Sequence, residues 1–219
     1  MEKKKIIKIV LLVVFIVLVI FLGIIIKRMI IISDISNKVS KYKDNNNHYE
    51  KIVTDYNGES KTTSEYYCKG DNAVMIVETT TKQSNETKKL TQYLKGETSN
   101  SYFDVGTTKL AVLNSNGVPS KMEIMSIDYN NSFWNLFYLA LITPIKTVEY
   151  NGKECYLLDS FELRHSYIEK DTGLTLKAID GQNENESSCT SEYEYNFDGV
   201  DDGIFIEPDI SQYEVKENN

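Results

Sequence analysis

The sequence predicts an α+β protein dominated by β structure: an N-terminal transmembrane helix, then a curled antiparallel meander sheet, a half-barrel, that covers a short apolar helix. Three observations predict it. Ile9–Ile26 is an apolar run of 18 residues without a charge. From Tyr49 onward, apolar and polar residues alternate in short runs separated by Asn, Gly, Asp and Ser, which is the period and punctuation of hairpins. Phe133–Ile142 breaks that period with ten residues that are almost all apolar.

The apolar run sets the compartment. At ~1.5 Å per residue it covers about 27 Å, or about 31 Å if it begins at Ile6, against a hydrocarbon core of roughly 30 Å. Lys3, Lys4, Lys5 and Lys8 oppose only Glu2 on the near side, whereas Lys27 and Arg28 alone flank the far side. The positive-inside bias therefore puts the N-terminus in the cytoplasm and the bulk outside. The run exceeds the apolar core of a signal peptide, and Lys27-Arg28-Met29-Ile30 follows it in place of a small-residue cleavage site, so an uncleaved anchor is expected. The first cysteine, Cys68, comes too late for a lipoprotein attachment. The expected division is residues 1–5 cytoplasmic, 6–32 transmembrane, 33–48 a juxtamembrane helix and linker, and 49–219 one extracytoplasmic domain on the cell membrane. So short a tail carries no signalling domain, and any signal must pass sideways to a partner's membrane helix.

Charge narrows the partners. The first 28 residues carry six of the 24 basic and one of the 32 acidic groups, which leaves the rest at −13. An acidic domain does not suit nucleic acid or anionic head groups, which attract clustered Lys and Arg. Cys68, Cys155 and Cys189 all fall on the oxidising side, where one disulfide leaves one thiol over. Of the three pairings, Cys155 with Cys189 is favoured.

Along the chain, Ser33 or Ser36 can cap a helix that carries Ile35, Val39 and Tyr42 at helical spacing and ends in Asp44-Asn45-Asn46-Asn47. Strand alternation follows in Ala73-Met75-Val77, Leu90-Gln92-Leu94 and Cys155-Leu157. It is clearest where Cys189, Tyr193, Tyr195 and Phe197 alternate with Thr190, Glu192, Glu194 and Asn196. Asn151-Gly152 separates Ile145–Tyr150 from Lys153–Leu163, and Asp171-Thr172-Gly173 separates His165–Lys170 from Leu174–Ile179, as type I′ or bulged turns require. Phe133–Ile142 follows Asn130-Asn131-Ser132 as a cap and stops at Thr143-Pro144. Too short to span a bilayer and apolar all round, it is expected to be buried all round, as plain core or as a plug over an apolar cavity.

Two stretches carry a resemblance. Asn151-Gly152-Lys153-Glu154-Cys155-Tyr156-Leu157-Leu158, and Tyr167 to Lys177 with its Thr172-Gly173-Leu174 turn, look like the outer-membrane lipoprotein carrier (LolA/RseB-like) superfamily, whose members share such a hairpin before the closing strands. Glu207-Pro208-Asp209-Ile210-Ser211-Gln212-Tyr213 is similar to tails of Gram-positive relatives. In architecture the resemblance covers residues 35–213. It implies a half-barrel closed by helices that binds acyl chains, lipoproteins or partner proteins, although the uncleaved anchor departs from a soluble shuttle. A hairpin motif specifies shape, not activity.

Catalytic signatures are absent from the sequence. It holds no HExxH, G-x-S-x-G, P-loop or GxGxxG, and His48 and His165 are its only histidines. His165 and Ser166 are neighbours on a strand and point to opposite faces. Asp198, Asp201, Asp202, Glu207 and Asp209 lack the spacing of a calcium loop, and Asn85, Asn130 and Asn185 stand in glycosylation sequons. The expectation is a non-enzyme without cofactor or metal. It binds an apolar ligand (an acyl chain, lipid or lipoprotein) on a concave face lined by Trp134, Phe137, Leu141, Tyr193, Tyr195 and Phe197. The alternative is an envelope protein-interaction or sensor module with a filled core.

Overall fold

The computed structural model describes residues 2–43, 45–96, 98–116, 132–159, 164–181 and 187–217. It opens with one helix, α1 (Glu2–Lys43), 42 residues long. At ~1.5 Å per residue that is about 63 Å, twice a hydrocarbon core. The separate juxtamembrane helix expected from Ser33 is instead the last quarter of α1. No Gly or Pro stands between Lys27 and Tyr42 to break the ladder, so Ser33 and Ser36 lie inside the helix and cap nothing.

Twelve strands follow among the described residues: β1 (Asn47–Tyr56), β2 (Ser60–Lys69), β3 (Asn72–Thr81), β4 (Glu86–Lys95), β5 (Thr98–Val105), β6 (Thr108–Asn116), then, after α2 (Phe133–Ile142), β7 (Ile145–Tyr150), β8 (Lys153–Asp159), β9 (Arg164–Glu169), β10 (Thr175–Gly181), β11 (Ser187–Asn196) and β12 (Glu214–Glu217). They form one sheet in the order β12-β6-β5-β4-β3-β2-β1-β11-β10-β9-β8-β7. Two antiparallel meanders are thus joined edge to edge by β1 and β11, and β12 returns parallel to β6.

The expected alternation sets the register. Ala73, Met75 and Val77 face Leu94, Gln92 and Leu90 across β3 and β4. Asn151 and Gly152 turn with φ of 51° and 75°, the pair of left-handed residues that a type I′ hairpin needs. The far end expected for the β8 strand, Ser160–Leu163, lies outside the described residues, as do Asn130, Asn131 and Asn185.

Each face of the sheet is covered in a different place. On one, Ile35 and Val39 of α1 bury against Leu158 of β8 and Ile168 of β9, with Tyr156 and Ile145 beside them. On the other, Val74, Tyr93, Tyr102 and Ala111 lie under Phe205 and Tyr213 of the C-terminal segment. Glu207 fastens that segment. Its carboxylate accepts from Lys95 Nζ (2.8 Å), Asn100 Nδ2 (2.8 Å) and the Tyr102 hydroxyl (2.7 Å). Burial raises the pKa of this carboxyl, but the three donors outweigh it and hold the group below its usual range.

The expectation that the sheet covers α2 is not met. The helix lying on the sheet is the end of α1, whose Ile32, Ile35 and Val39 recur at helical spacing and are all buried. Only Leu136 and Ala140 of α2 are buried, and they pack on Ile25 and Ile32 of α1, with Ile145 of β7 at the margin.

Candidate binding cleft

Where β10 begins, its ladder to β11 is missing. Pairing between the two strands runs only from Lys177–Glu192 to Gly181–Ser187, and a register shift between Thr175 and Lys177 bends β10 on its other side. Leu174 and Leu176 therefore part from Tyr193, Tyr195 and Phe197, and a cleft of about 330 Å³ opens between them. The rings of Tyr193, Tyr195 and Phe197 stack along β11 at 6.4 and 6.2 Å with planes 7° apart. Tyr42, in the last turn of α1, closes the row at 4.4 Å from Phe197.

The rim is charged. Lys153 pairs with Glu169 at 2.9 Å, and the Thr172 hydroxyl donates to the same carboxylate at 2.6 Å. Burial opposes ionisation of Glu169, yet these two donors prevail and its pKa is lowered. Along β11 the cleft continues into one of about 340 Å³ lined by Lys51, Val53, Tyr150, Lys153, Glu192 and Glu194. There the Tyr150 hydroxyl donates to Glu192 at 3.0 Å, and Lys177 lies over the Tyr150 and Tyr167 rings. Deeper in the sheet, Tyr195 stands beside buried Glu50, so burial and then the neighbouring carboxylate push its phenol well above its usual pKa. The Tyr195 hydroxyl therefore stays protonated.

The six residues expected to line one cavity fall into two places. Tyr193, Tyr195 and Phe197 do line the cleft, but Trp134, Phe137 and Leu141 belong to α2, beside Ile25 and Ile32. Tyr42 and Ile32 are ten residues apart on one helix, a rise of about 15 Å. Sequence reasoning missed Tyr42, Lys153, Glu169, Leu174 and Leu176 as members of the site. Tyr42 was legible as an apolar position of α1, and Leu174 and Leu176 as strand residues; nothing in the sequence says that β10 leaves β11 beside them.

The favoured disulfide is corrected. Cys155 on β8 and Cys189 on β11 are separated by two strands, about 14 Å at ~4.8 Å per spacing, beyond the roughly 7 Å between Cα atoms that a bridge tolerates. Cys68 sits opposite His48, whereas Cys189 lies past the Asp55–Thr190 pair at the other end of β1. None of the three cysteines is in a disulfide. Cys155 donates to the Lys153 carbonyl and Cys189 to Asp180. Among the described residues, no three His, Cys, Asp or Glu side chains come together as a metal site. His48 Nδ1 lies 2.7 Å from the Asn45 carbonyl, and His165 Nδ1 lies 2.9 Å from Asp159.

No family model and no curated protein matches the chain. Solved structures to which it is similar include an uncharacterized conserved protein from Thermus thermophilus, at 11% identity over 85% of this chain and 98% of that one, with a TM-score of 0.47. MucB is similar at 15% identity over 80% of this chain and 62% of that one, TM-score 0.34. In the Pseudomonas aeruginosa MucA/MucB complex the values are 12%, 84%, 63% and 0.34. The chain spans about three fifths of these MucB chains. What the cleft can hold follows from its own residues.

Proposed function

We propose that this protein is a membrane-anchored, non-catalytic binding module whose cleft takes an extended segment of another envelope protein. In this reading α1 crosses the bilayer once, with its N-terminus in the cytoplasm and the sheet outside. Its length and composition support the crossing, as does the exposure of every residue from Ile6 to Phe21, which no part of the domain covers. Lys5 and Lys8 before the run, with Lys3 and Lys4, support the orientation.

The observation that carries the binding proposal is the cleft between Leu174 and Tyr193–Phe197, roofed by Tyr42. Its lining pairs flat aromatic rings with hydroxyls and a charged rim, the composition of a protein interface, whereas an acyl chain favours an enclosed apolar space. Glu169 and Lys153, the acid and the base of the rim, already satisfy each other, which supports a site that binds and does not react. Because the roof is the membrane helix itself, an occupant touches α1 directly.

Photo-crosslinking tests this in intact cells. A benzophenone amino acid at Phe197 should give a discrete protein adduct that a Tyr56 control, at the far end of β1, does not give. The adduct should disappear on Tyr195→Ala. A lipid adduct at Phe197 would transfer the site to the acyl-chain reading, and no adduct of either kind would overturn both.

A further inference from the structure

The face of α2 turned away from α1 is apolar. Trp134 is 75% exposed, Phe133, Tyr138 and Leu141 are also exposed, and the helix carries no charge. A surface helix facing water would put polar residues there. We infer that α2 is a second membrane contact, lying in the outer interface of the bilayer against α1 with Trp134 and Tyr138 among the lipid head groups. This rests on the reading that α1 crosses the bilayer.

The depth comes from α1. Ile6 to Ile26 takes up about 30 Å, so Ile25 stands near the outer end of the hydrocarbon. Ile25 is 2% exposed while Ile24 and Ile26 are 46% and 56% exposed; Leu136 and Ala140 of α2 are what cover it. Arg28 Nη1 donates to the Ala140 carbonyl at 3.1 Å, which ties the last turn of α2 to the level where the apolar run gives way to charge. The helix ends suit a poorly hydrated site. The Ser132 hydroxyl accepts from the Asn135 N–H, and the Thr143 N–H donates to Leu139 O. Trp and Tyr are the residues enriched at membrane interfaces. A partner's transmembrane helix, or a second copy, would instead meet small residues that allow close approach, and the exposed face of α2 has none.

Trp134 is the sole tryptophan, so intrinsic fluorescence reads its surroundings without labels. The full chain is reconstituted in phosphatidylcholine–phosphatidylglycerol vesicles and exposed to iodide in the buffer or to lipids brominated at successive acyl positions. Emission should shift to the blue, resist iodide and be lost chiefly to lipids brominated near the head group. Moving the tryptophan to the far end of the sheet, with Trp134→Phe and Tyr56→Trp, should reverse the pattern. Quenching of Trp134 by iodide alone, in protein that resists alkaline carbonate extraction, would overturn the interfacial helix and leave the anchor standing. Protection that vanishes as protein is diluted in lipid would assign the face to a second copy and also overturn it. Release of the chain by carbonate would overturn the anchor itself, and the inference with it.

Discussion

Gly173 holds the turn between β9 and β10 at φ +77°, and a Cβ built there would lie 2.9 Å from the Ile35 carbonyl oxygen of α1. The turn and the helix touch backbone to backbone, with Lys38 donating to the Lys170 carbonyl beside them. Gly173→Ala should therefore cost about 2–4 kcal/mol, from left-handed strain plus overpacking. Gly152→Ala, at φ +75° with open space around it, should cost only the ~1–2 kcal/mol of strain. Denaturant midpoints in one detergent compare them, and equal losses would refute the contact. Glu207 offers a second test. Glu207→Gln should cost about 1–2 kcal/mol at neutral pH, because a half-buried acceptor facing three donors is replaced in part by a donor. Since the folded carboxyl titrates below its unfolded value of about 4.3, its stabilisation is complete above that pH and is lost as pH falls through the folded pKa. The gap between wild type and variant should close in acid; a gap independent of pH would mean that the carboxylate charge does not hold the tail. The Thr-Gly-Leu turn was legible in the sequence as a hairpin, but its contact was not, since a turn motif records its own dihedrals and not the helix 135 residues earlier in the chain.

At the scale of elements, the helix that lies on the sheet is the end of α1 and not α2, which packs on α1. Hydrophobicity on every side of Phe133–Ile142 made burial the natural expectation, because in water an apolar face must be covered by protein. With α1 crossing a bilayer as proposed, lipid would do that work and the reasoning from water would not apply. Trp134 and Tyr138 were the signal that could have said so. Leu136→Ala should destabilise by about 2–4 kcal/mol, since Leu136 fills the contact with Ile25 and Ile32. Trp134→Ala should change the melting of detergent-solubilised protein by less than about 0.5 kcal/mol, as for exposed residues generally. The smaller side chain thus costs more, and the reverse order would return Trp134 to a packed core.

For the whole molecule, one sheet of two meanders stands on a long helix, and the proposed crossing of α1 would fix what faces the membrane and what faces away. With the lysine-rich N-terminus inside, protease added to intact cells without an outer barrier should remove the chain from about Tyr42 onward. Survival of the domain until lysis would reverse the orientation. The cleft sits at the C-terminal end of α1, and under the proposed crossing the helix length would set its height above the bilayer: Tyr42 lies 16 residues past Ile26, a rise of about 24 Å. In that proposed setting the spacing would suit an envelope partner close to the membrane surface.

Local periodicity determined most of the elements. The 18-residue apolar run, the alternation of β3, β4 and β11 and the Asn151-Gly152 turn are each written within a few neighbouring residues, where side-chain period and backbone dihedrals act directly. Only the tertiary structure decided that β1 pairs with β11, that β10 parts from β11 to open the cleft, that two strands stand between Cys155 and Cys189, and that α2 lies on α1. Those outcomes depend on contacts between segments tens to more than a hundred residues apart, whose free energies come from shared burial and from competition among pairings, and a local pattern fixes neither.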